Sequence, residues 1–584
     1  MLPQAATPYG VIIDRNVPAQ MRDGVILHAD VWRPNAEGRF PVLLLRTPYG
    51  KQVPQLLPSA GVDAVRSVAE GYVVILQDTR GRGTSGGEWS FECEGDDGYD
   101  TVEWAASLPY SDGNVGMYGI SYLAFAQWMA ALKKPPHLKA LFVQQFGTSI
   151  HSFMAQGGAF HHGGALLWAA IQAPEVILKR VAAGENVLAS LGELDVMMNS
   201  LTDACMKLPL AGSHDFITRF SPYYDEWMTK LDNEEHWKST DVLSRVGDID
   251  LPVYHLGGWY DIYNGDVPAL FAGMCRGGGS ETTRKSQKLL MGPWVHALNG
   301  SDYITEPHMG TRASALVCDI PGMHLRWFDH WLKGKDTGML GEAPVRIFVM
   351  GDNAWREEQE WPLARTVWTN YYLRSEGSAN TRDGGGYLGT EVPAASEPAD
   401  KFIYDPANPV PSWGGPNLLP AANFGPKEQS RIECRDDVLV YTTPPLEEDV
   451  EVTGPVTATL YATTSAADTD WTVKLVDVHP DGTAYGVVDG IVRARYRNGP
   501  WKAEPIEAER AYAYDVDLKA TSIVFKRGHR IRVQVSSSNF PRFARNTNSG
   551  GPLATDDTLC VAHQVVLHDA AHPSHIRLPV IPRV

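Results

Sequence analysis

"GNVGMYGISYLAFAQWMAALKK", residues 113–134, decides the fold. Val115 to Ser121 reads as a strand that ends in an abrupt turn. From there Tyr122, Phe125, Ala126, Met129 and Leu132 fall in helical register with almost no polar face, which predicts a buried helix behind a central strand. The turn carries Ser121, with Gly119 two residues before it. The matching position two residues after it holds Leu123, and the next small residue is Ala124. A literal G-x-S-x-G occurs elsewhere, in "GTSGG" centred on Ser85.

Outward from this stretch, "FPVLLLRTPYG" (40–50), "GYVVILQDTRG" (71–81) and "LKALFVQQFG" (138–147) are further near-continuous apolar strands. Segment 59–70 and the helix after Ser121 serve as crossovers, so a parallel sheet covered on both faces is expected. Between 148 and 248 the strand signal gives way to helical periodicity rich in Trp, Phe and His. Strands return in "LPVYHLGGWYD" (251–261) and "SQKLLMGPWVH" (286–296), followed by the helix-like "GMHLRWFDHWLKG". Beyond about 340, runs such as "VRIFVMG", "VTATLYATTS", "DWTVKLVDVHPDG" and "IRVQVSSS" alternate apolar and polar residues between turn clusters, the pattern of a β-sandwich or jelly roll. Gly/Ser-rich 276–286 and 375–386 read as surface loops. The expected domains are a discontinuous α/β domain (1–147 and 249–337), a helical cap inserted at a strand's C-terminal end (148–248), and a jelly-roll domain (338–584).

The composition narrows the function classes. The 584 residues exceed one hydrophobic core. A net charge of −18 without any Lys/Arg block argues against nucleic acid and anionic membranes as partners. The N-terminus lacks the basic and apolar regions of a signal peptide, and no apolar run reaches bilayer length, so a cytoplasmic protein is the default expectation. Six cysteines, Cys93, Cys205, Cys275, Cys318, Cys434 and Cys560, are scattered without a C-x-x-C pair and read as free thiols.

A tight strand-to-helix turn lifts a serine hydroxyl clear of the sheet and aims the next backbone N–H at a developing oxyanion. Ser85 follows a strand, but "GRGTSGGEWSFECEGDDGYD" gives no helix signal after it, so Ser121 is the candidate nucleophile. Partners should follow in the order acid, then histidine, at the ends of returning strands. Asp261 and His296 meet that expectation: His296 would take the Ser121 proton and Asp261 would hold the imidazole. The Tyr122 amide supplies one oxyanion donor, and Tyr49, just past a strand in "LLLRTPYGK", is placed to supply a second. On the residues alone, a Pro-Tyr turn is the favoured explanation of Tyr49.

The ordered strings "RTPYGK", "QDTRGRGTSGGEW", "GYDTVEWAASLPYSDGNVGMYGISYLA", "GGWYDIY", "GPWVH" and "DHWLKGK" resemble the X-Pro dipeptidyl-peptidase/cocaine-esterase group of serine hydrolases over nearly the whole chain. "FVMGDNAWREEQEWP" and "SSSNFPRFARNTN" look like that group's C-terminal jelly roll. The resemblance implies an α/β-hydrolase fold, a Ser121–Asp261–His296 triad, and an oxyanion hole of the Tyr49 hydroxyl and Tyr122 N–H, with no cofactor. It places the group's second elbow glycine (G-x-S-Y-x-G) at Ala124 and Ser85 in a structural loop. Dimer-forming relatives are the sole basis for expecting a homodimer.

The branch turns on charge. Relatives that act on amino-acid substrates fix an ammonium with carboxylates near the active site, whereas Ile262, Tyr263 and Asn264 follow Asp261 here. Trp168, Tyr263, Phe160, Trp259 and Trp294 are the substrate-pocket candidates, with core packing the competing explanation for each. They favour a small, neutral, acyl or aromatic ester as the partner. "FHHGG" (160–164) lacks chelating geometry, so no metal is expected. The leading expectation is a serine esterase of the cocaine-esterase branch. The alternatives are an X-Pro dipeptidyl-peptidase or an α-amino-acid ester/β-lactam acylase, with Asp195, Glu193 or Glu185 binding the ammonium, and a non-catalytic carbohydrate-binding protein.

Overall fold

The computed structural model describes residues 9–52, 61–296, 307–393, 396–419 and 424–583. The first eight residues, and the start of segment 59–70, lie outside the described residues. The chain-order strands are β1 (Val11–Gln20), β2 (Ile26–Pro34), β3 (Phe40–Thr47), β4 (Val73–Asp78), β5 (Ser111–Ile120) and β6 (Leu138–Gln144). A two-residue pair, β7 (Ala155–Gln156) and β8 (Ala159–Phe160), precedes β9 (Val253–Tyr260), β10 (Lys288–Val295), β11 (Val345–Val349) and β12 (Ala354–Glu358). Among the described residues one sheet runs β1-β2-β4-β3-β5-β6-β9-β10-β11-β12. Neighbours from β4 to β11 are parallel, and the two edges are antiparallel.

Burial explains this arrangement. Every residue of β4, β9 and β10 is buried, as a parallel sheet covered on both faces requires. The helix Tyr122–Leu132 is likewise buried at every position. It packs on β3, β5 and β6 and against the helix Glu94–Ser107, which also contacts the sheet. The helix Ile320–Lys333 is amphipathic, buries Ile320, Leu325, Phe328 and Leu332, and packs against β5 and β6.

Three sequence expectations change. "VRIFVMG" and the "AWREE" that follows it alternate like sandwich strands, yet Leu289 of β10 pairs with Val345 and β12 closes the edge. The first sheet therefore extends past 337 to Glu358, because alternation reports one buried face and does not say which sheet supplies it. The cap is not wholly helical: β7 and β8 form a short hairpin whose turn accepts a hydrogen bond at Gly157 from the Arg493 amide, 2.8 Å. Residues Glu281–Lys285 of the expected 276–286 loop form a short helix, capped by the Ser280 hydroxyl.

Helices Ile150–Met154, His162–Ala182, Ser190–Asn199, Leu201–Cys205, Asp215–Phe220, Tyr223–Thr229 and Glu234–Trp237 lie between β6 and β9, above the C-terminal ends of the parallel strands. The remaining chain, from Val367 to Ile581, builds an eleven-stranded sheet system among the described residues. Its longest strand, Val450–Thr464, pairs antiparallel with Tyr512–Phe525. The Met350 amide donates to Ser522 O (3.0 Å) and the Val524 amide to Met350 O (2.8 Å), so this strand-rich domain is tied to the end of β11.

Candidate active site

Ser121 sits at φ 59°, ψ −124°, between the end of β5 and the helix that begins at Tyr122. That backbone conformation is unfavourable for a residue with a Cβ and persists where surroundings enforce it. The Ser121 amide donates to Gln144 O on β6, 2.9 Å, and its carbonyl accepts from Ala124 N and Phe125 N at 2.9 and 3.0 Å. Gly119 has φ 142°, and a Cβ there would lie 2.5 Å from Leu123 Cβ. The glycine before the serine is therefore obligatory because Leu123 occupies the space on the helix side. Ala124 is fully buried beneath the turn.

Ser85 is committed elsewhere. Its hydroxyl donates to Asp78 O (2.7 Å) and accepts from the His28 amide (2.9 Å). A helix does follow it, contrary to the sequence reading, but begins only at Glu94 after a 3-10 turn at Phe91–Cys93. That separation is too long for an elbow. The loop's organiser is Asp78, whose carboxylate accepts from Lys51 Nζ at 2.7 Å, Lys51 N at 2.6 Å and Thr84 N at 2.9 Å. A Cβ on Gly83 would collide with that carboxylate at 2.1 Å. The buried Lys51–Asp78 pair thereby anchors the Tyr49 loop beside β5.

The strand ends bring the other residues in. Asp261 follows β9, is fully buried, and accepts from the Tyr263 amide (2.8 Å) at one oxygen. Its other oxygen meets His296 Nδ1 at 2.6 Å. His296 follows β10, whose end is held by Gln145 Nε2 donating to Val295 O, 2.8 Å. With Nδ1 engaged, Nε2 is the ring atom left to face a reacting group.

Tyr49 accepts from Trp168 Nε1 at 3.0 Å, which leaves its own O–H to donate, and it lines the same cavity as Ser121. Burial pushes the phenol up to about 12, so it stays protonated across the neutral range. Tyr122 is held differently: its hydroxyl donates to Glu94 Oε1 (2.7 Å) and accepts from Trp89 Nε1 (3.0 Å). Glu94 Oε2 in turn meets buried Arg46 at 2.6 Å. Burial raises the Glu94 carboxyl and the Arg46 guanidinium opposes that shift. The side chain of Tyr122 is thus fixed on one side of the helix start. Its backbone N–H, at the first helical position, has no intrahelical acceptor.

Ser121, His296, Tyr49 and Tyr122 open into one cavity of about 340 Å³. Its wall includes Trp168 and Tyr263 from the predicted set, with Phe91, Phe146, Phe153 and Leu167. Three predicted pocket residues lie outside it. Trp259 donates to Phe348 O (2.8 Å) and Trp294 to Ala313 O (2.7 Å), both turned into the packing of β9 and β10. Phe160 is buried on β8, its ring 6.0 Å from that of His162. Trp259 and Trp294 belong to the buried strands β9 and β10, whereas Asp261 and His296 lie just past the strand ends, so closeness in sequence to the triad positions does not carry the two indoles into the cavity.

The cap carboxylates are equally remote. Glu185 pairs with Arg180 at 2.6 Å and Glu193 with Arg219 at 2.8 Å, all on the surface, and Asp195 is exposed. The described cavity lining contains neither Asp nor Glu. Sequence reading missed Asn417, Leu418 and Phe424, which the C-terminal domain contributes to the wall. Asn417 is 2 % exposed; its Oδ1 accepts from Leu419 N at 2.9 Å, while Nδ2 has no partner among the described residues.

Serine, acid and histidine in that chain order, at the ends of parallel strands, is the ordering of α/β-hydrolases, and the chain is a serine hydrolase of that fold. The model of the X-Pro dipeptidyl-peptidase (S15 family) matches residues 23–298, and that of the X-Pro dipeptidyl-peptidase C-terminal non-catalytic domain matches 337–577. The chain belongs to this family. It is 39% identical to the cocaine esterase of Rhodococcus sp. (strain MB1 Bresler), over 97% of this chain and 98% of that protein. An aminopeptidase from a marine sediment Thaumarchaeota archaeon shares the fold with a TM-score of 0.82 at 24% identity, covering 100% of this chain and 99% of that one. An α-amino acid ester hydrolase does so with a TM-score of 0.79 at 23% identity, covering 99% and 98%. No described helix is long and apolar enough to cross a membrane.

Proposed function

We propose that this protein is an esterase that cleaves a small, neutral ester through an acyl-enzyme on Ser121. The observation that carries the reading is the shared cavity: Ser121 at a strained elbow and His296, bonded to buried Asp261, open into the same apolar space. The likeness to a cocaine esterase supports ester rather than peptide chemistry.

In the mechanism, His296 Nε2 takes the Ser121 proton as Oγ attacks the ester carbonyl. The resulting oxyanion receives hydrogen bonds from the Tyr122 N–H and the Tyr49 hydroxyl. Asp261 holds the tautomer and stabilises imidazolium, which then protonates the departing alcohol. Water repeats the sequence on the acyl-enzyme, with His296 as base.

Substrate class follows from the wall. A free ammonium would enter a cavity without any carboxylate in its described lining, an uncompensated burial of charge. Ring contacts from Trp168 and Tyr263 suit an apolar or aromatic acyl group, and the unpartnered Asn417 Nδ2 offers a single donor to an acceptor oxygen on it. The test is hydrolysis of paired esters that differ only in an N-acetyl or a free amine on the acyl group. Preference for neutral acyl groups is expected; preference for the free amine would favour the aminoacyl-hydrolase reading instead.

A further inference from the structure

The C-terminal domain carries a cluster that the esterase chemistry leaves unused. Asp477, near the end of the strand Asp470–Val478, accepts from His529 Nδ1 at 2.9 Å and lies 3.5 Å from His479 Nε2. The three donor atoms all fall within 4.8 Å of one another. We propose that Asp477, His479 and His529 form a binding site for a divalent transition metal, best matched to Zn²⁺.

The donor set comes first: two imidazoles and one carboxylate suit zinc, with water completing a tetrahedron. Bonds of about 2.0–2.1 Å put tetrahedral ligands roughly 3.3 Å apart; His529 Nδ1 lies 2.9 Å from Asp477 Oδ1 and His479 Nε2 lies 3.5 Å from Oδ2, one imidazole at each carboxylate oxygen.

Preorganisation comes next. The His479 amide donates to Thr483 O (2.8 Å) in the turn of a hairpin. The His529 amide donates to Lys526 O (2.9 Å), and its carbonyl accepts from the Leu446 amide (2.8 Å). Both rings are therefore held by backbone ties on separate turns, with centroids 4.4 Å apart. The Asp477 side chain is 9% exposed, whereas the histidine side chains are 28% and 15% exposed, so the carboxylate forms the floor and the cluster opens to solvent. An ion there would clip the turn after Val478 to the turn before Arg530. Ligands two apart on one strand end and a third fifty residues on leave no spacing motif, which is why sequence analysis expected no metal.

The test uses the full chain, stripped with chelator and dialysed. Titration with Co²⁺ should give tetrahedral visible absorption saturating at one equivalent, and Zn²⁺ should displace it and raise Tm. His479→Gln and His529→Gln should each abolish the absorption and the Tm shift, while ester turnover in the stripped proteins stays at the wild-type level. A full-chain titration with no stoichiometric binding would overturn the assignment, as would binding that survives both substitutions.

Discussion

Tyr49→Phe removes one hydroxyl and nothing else from the cavity wall. In the proposed mechanism that hydroxyl is one of two donors to the oxyanion; it lines the cavity with Ser121 and accepts from Trp168 Nε1 at 3.0 Å. Losing one such donor costs about 2.7–4 kcal/mol in the transition state, or roughly 100- to 1000-fold in kcat. Because the bond strengthens only as negative charge forms on the carbonyl oxygen, kcat and kcat/KM should fall together while KM stays near its starting value. Stability should fall by no more than about 1–3 kcal/mol, the range for leaving the indole N–H without its acceptor. The phenol is raised to about 12 by burial, so it remains a donor through neutral and moderately alkaline pH. The wild-type kcat should accordingly show no loss from Tyr49 ionisation below about pH 11. Steady-state kinetics on a chromogenic ester, with thermal denaturation as control, measures all of this. A Tyr49→Phe enzyme within a few-fold of wild type in kcat, or one altered only in KM, would refute the oxyanion role.

Gly119→Ala forces a Cβ to within 2.5 Å of Leu123 Cβ at φ 142°, so a Tm drop and a loss of more than about 2 kcal/mol of stability are expected; denaturant unfolding reads it directly. Asn417→Leu removes the unpartnered donor, and kcat/KM should fall about tenfold for acyl groups bearing an acceptor oxygen while hydrocarbon acyl esters are unaffected; competition assays on matched esters decide it. Burial depresses His162 and His324 to about 3, and His151, His214 and His255 to about 4, from 6.5. The unfolded chain therefore takes up protons between pH 6.5 and 4 that the folded chain refuses, and stability falls as pH falls through that window, by about 1.4 kcal/mol per pH unit for each group. His162→Gln should flatten the dependence of Tm on pH between 6.5 and 4.

The elbow was legible because its parts are contiguous: strand, Gly119, Ser121 and an apolar helix occupy one stretch, and local sequence determines that geometry. The His296–Asp261 contact was legible through chain order, since each residue directly follows a buried strand of the same sheet. Facing was the harder quantity. Trp259 and Trp294 stand beside these residues in sequence, yet their indoles are hydrogen-bonded away from the cavity. Asn417 and Phe424 enter from an irregular segment of another domain, where no periodicity or motif signals an approach to Ser121. For β11 and β12, the same alternation would serve either sheet, and only pairing with β10 settles their place. The tie of Glu94 to Tyr122 depends on a helix start that the glycine-rich sequence before it conceals.

Active-site labelling tests the central claim most directly. The pure protein would be treated with a fluorophosphonate and the modified peptide mapped by mass spectrometry, alongside a His296→Ala variant. The expected result is stoichiometric phosphonylation of Ser121, lost in the variant. Absence of labelling on folded protein, or a label at Ser85, would contradict an activated Ser121 and the esterase mechanism built on it.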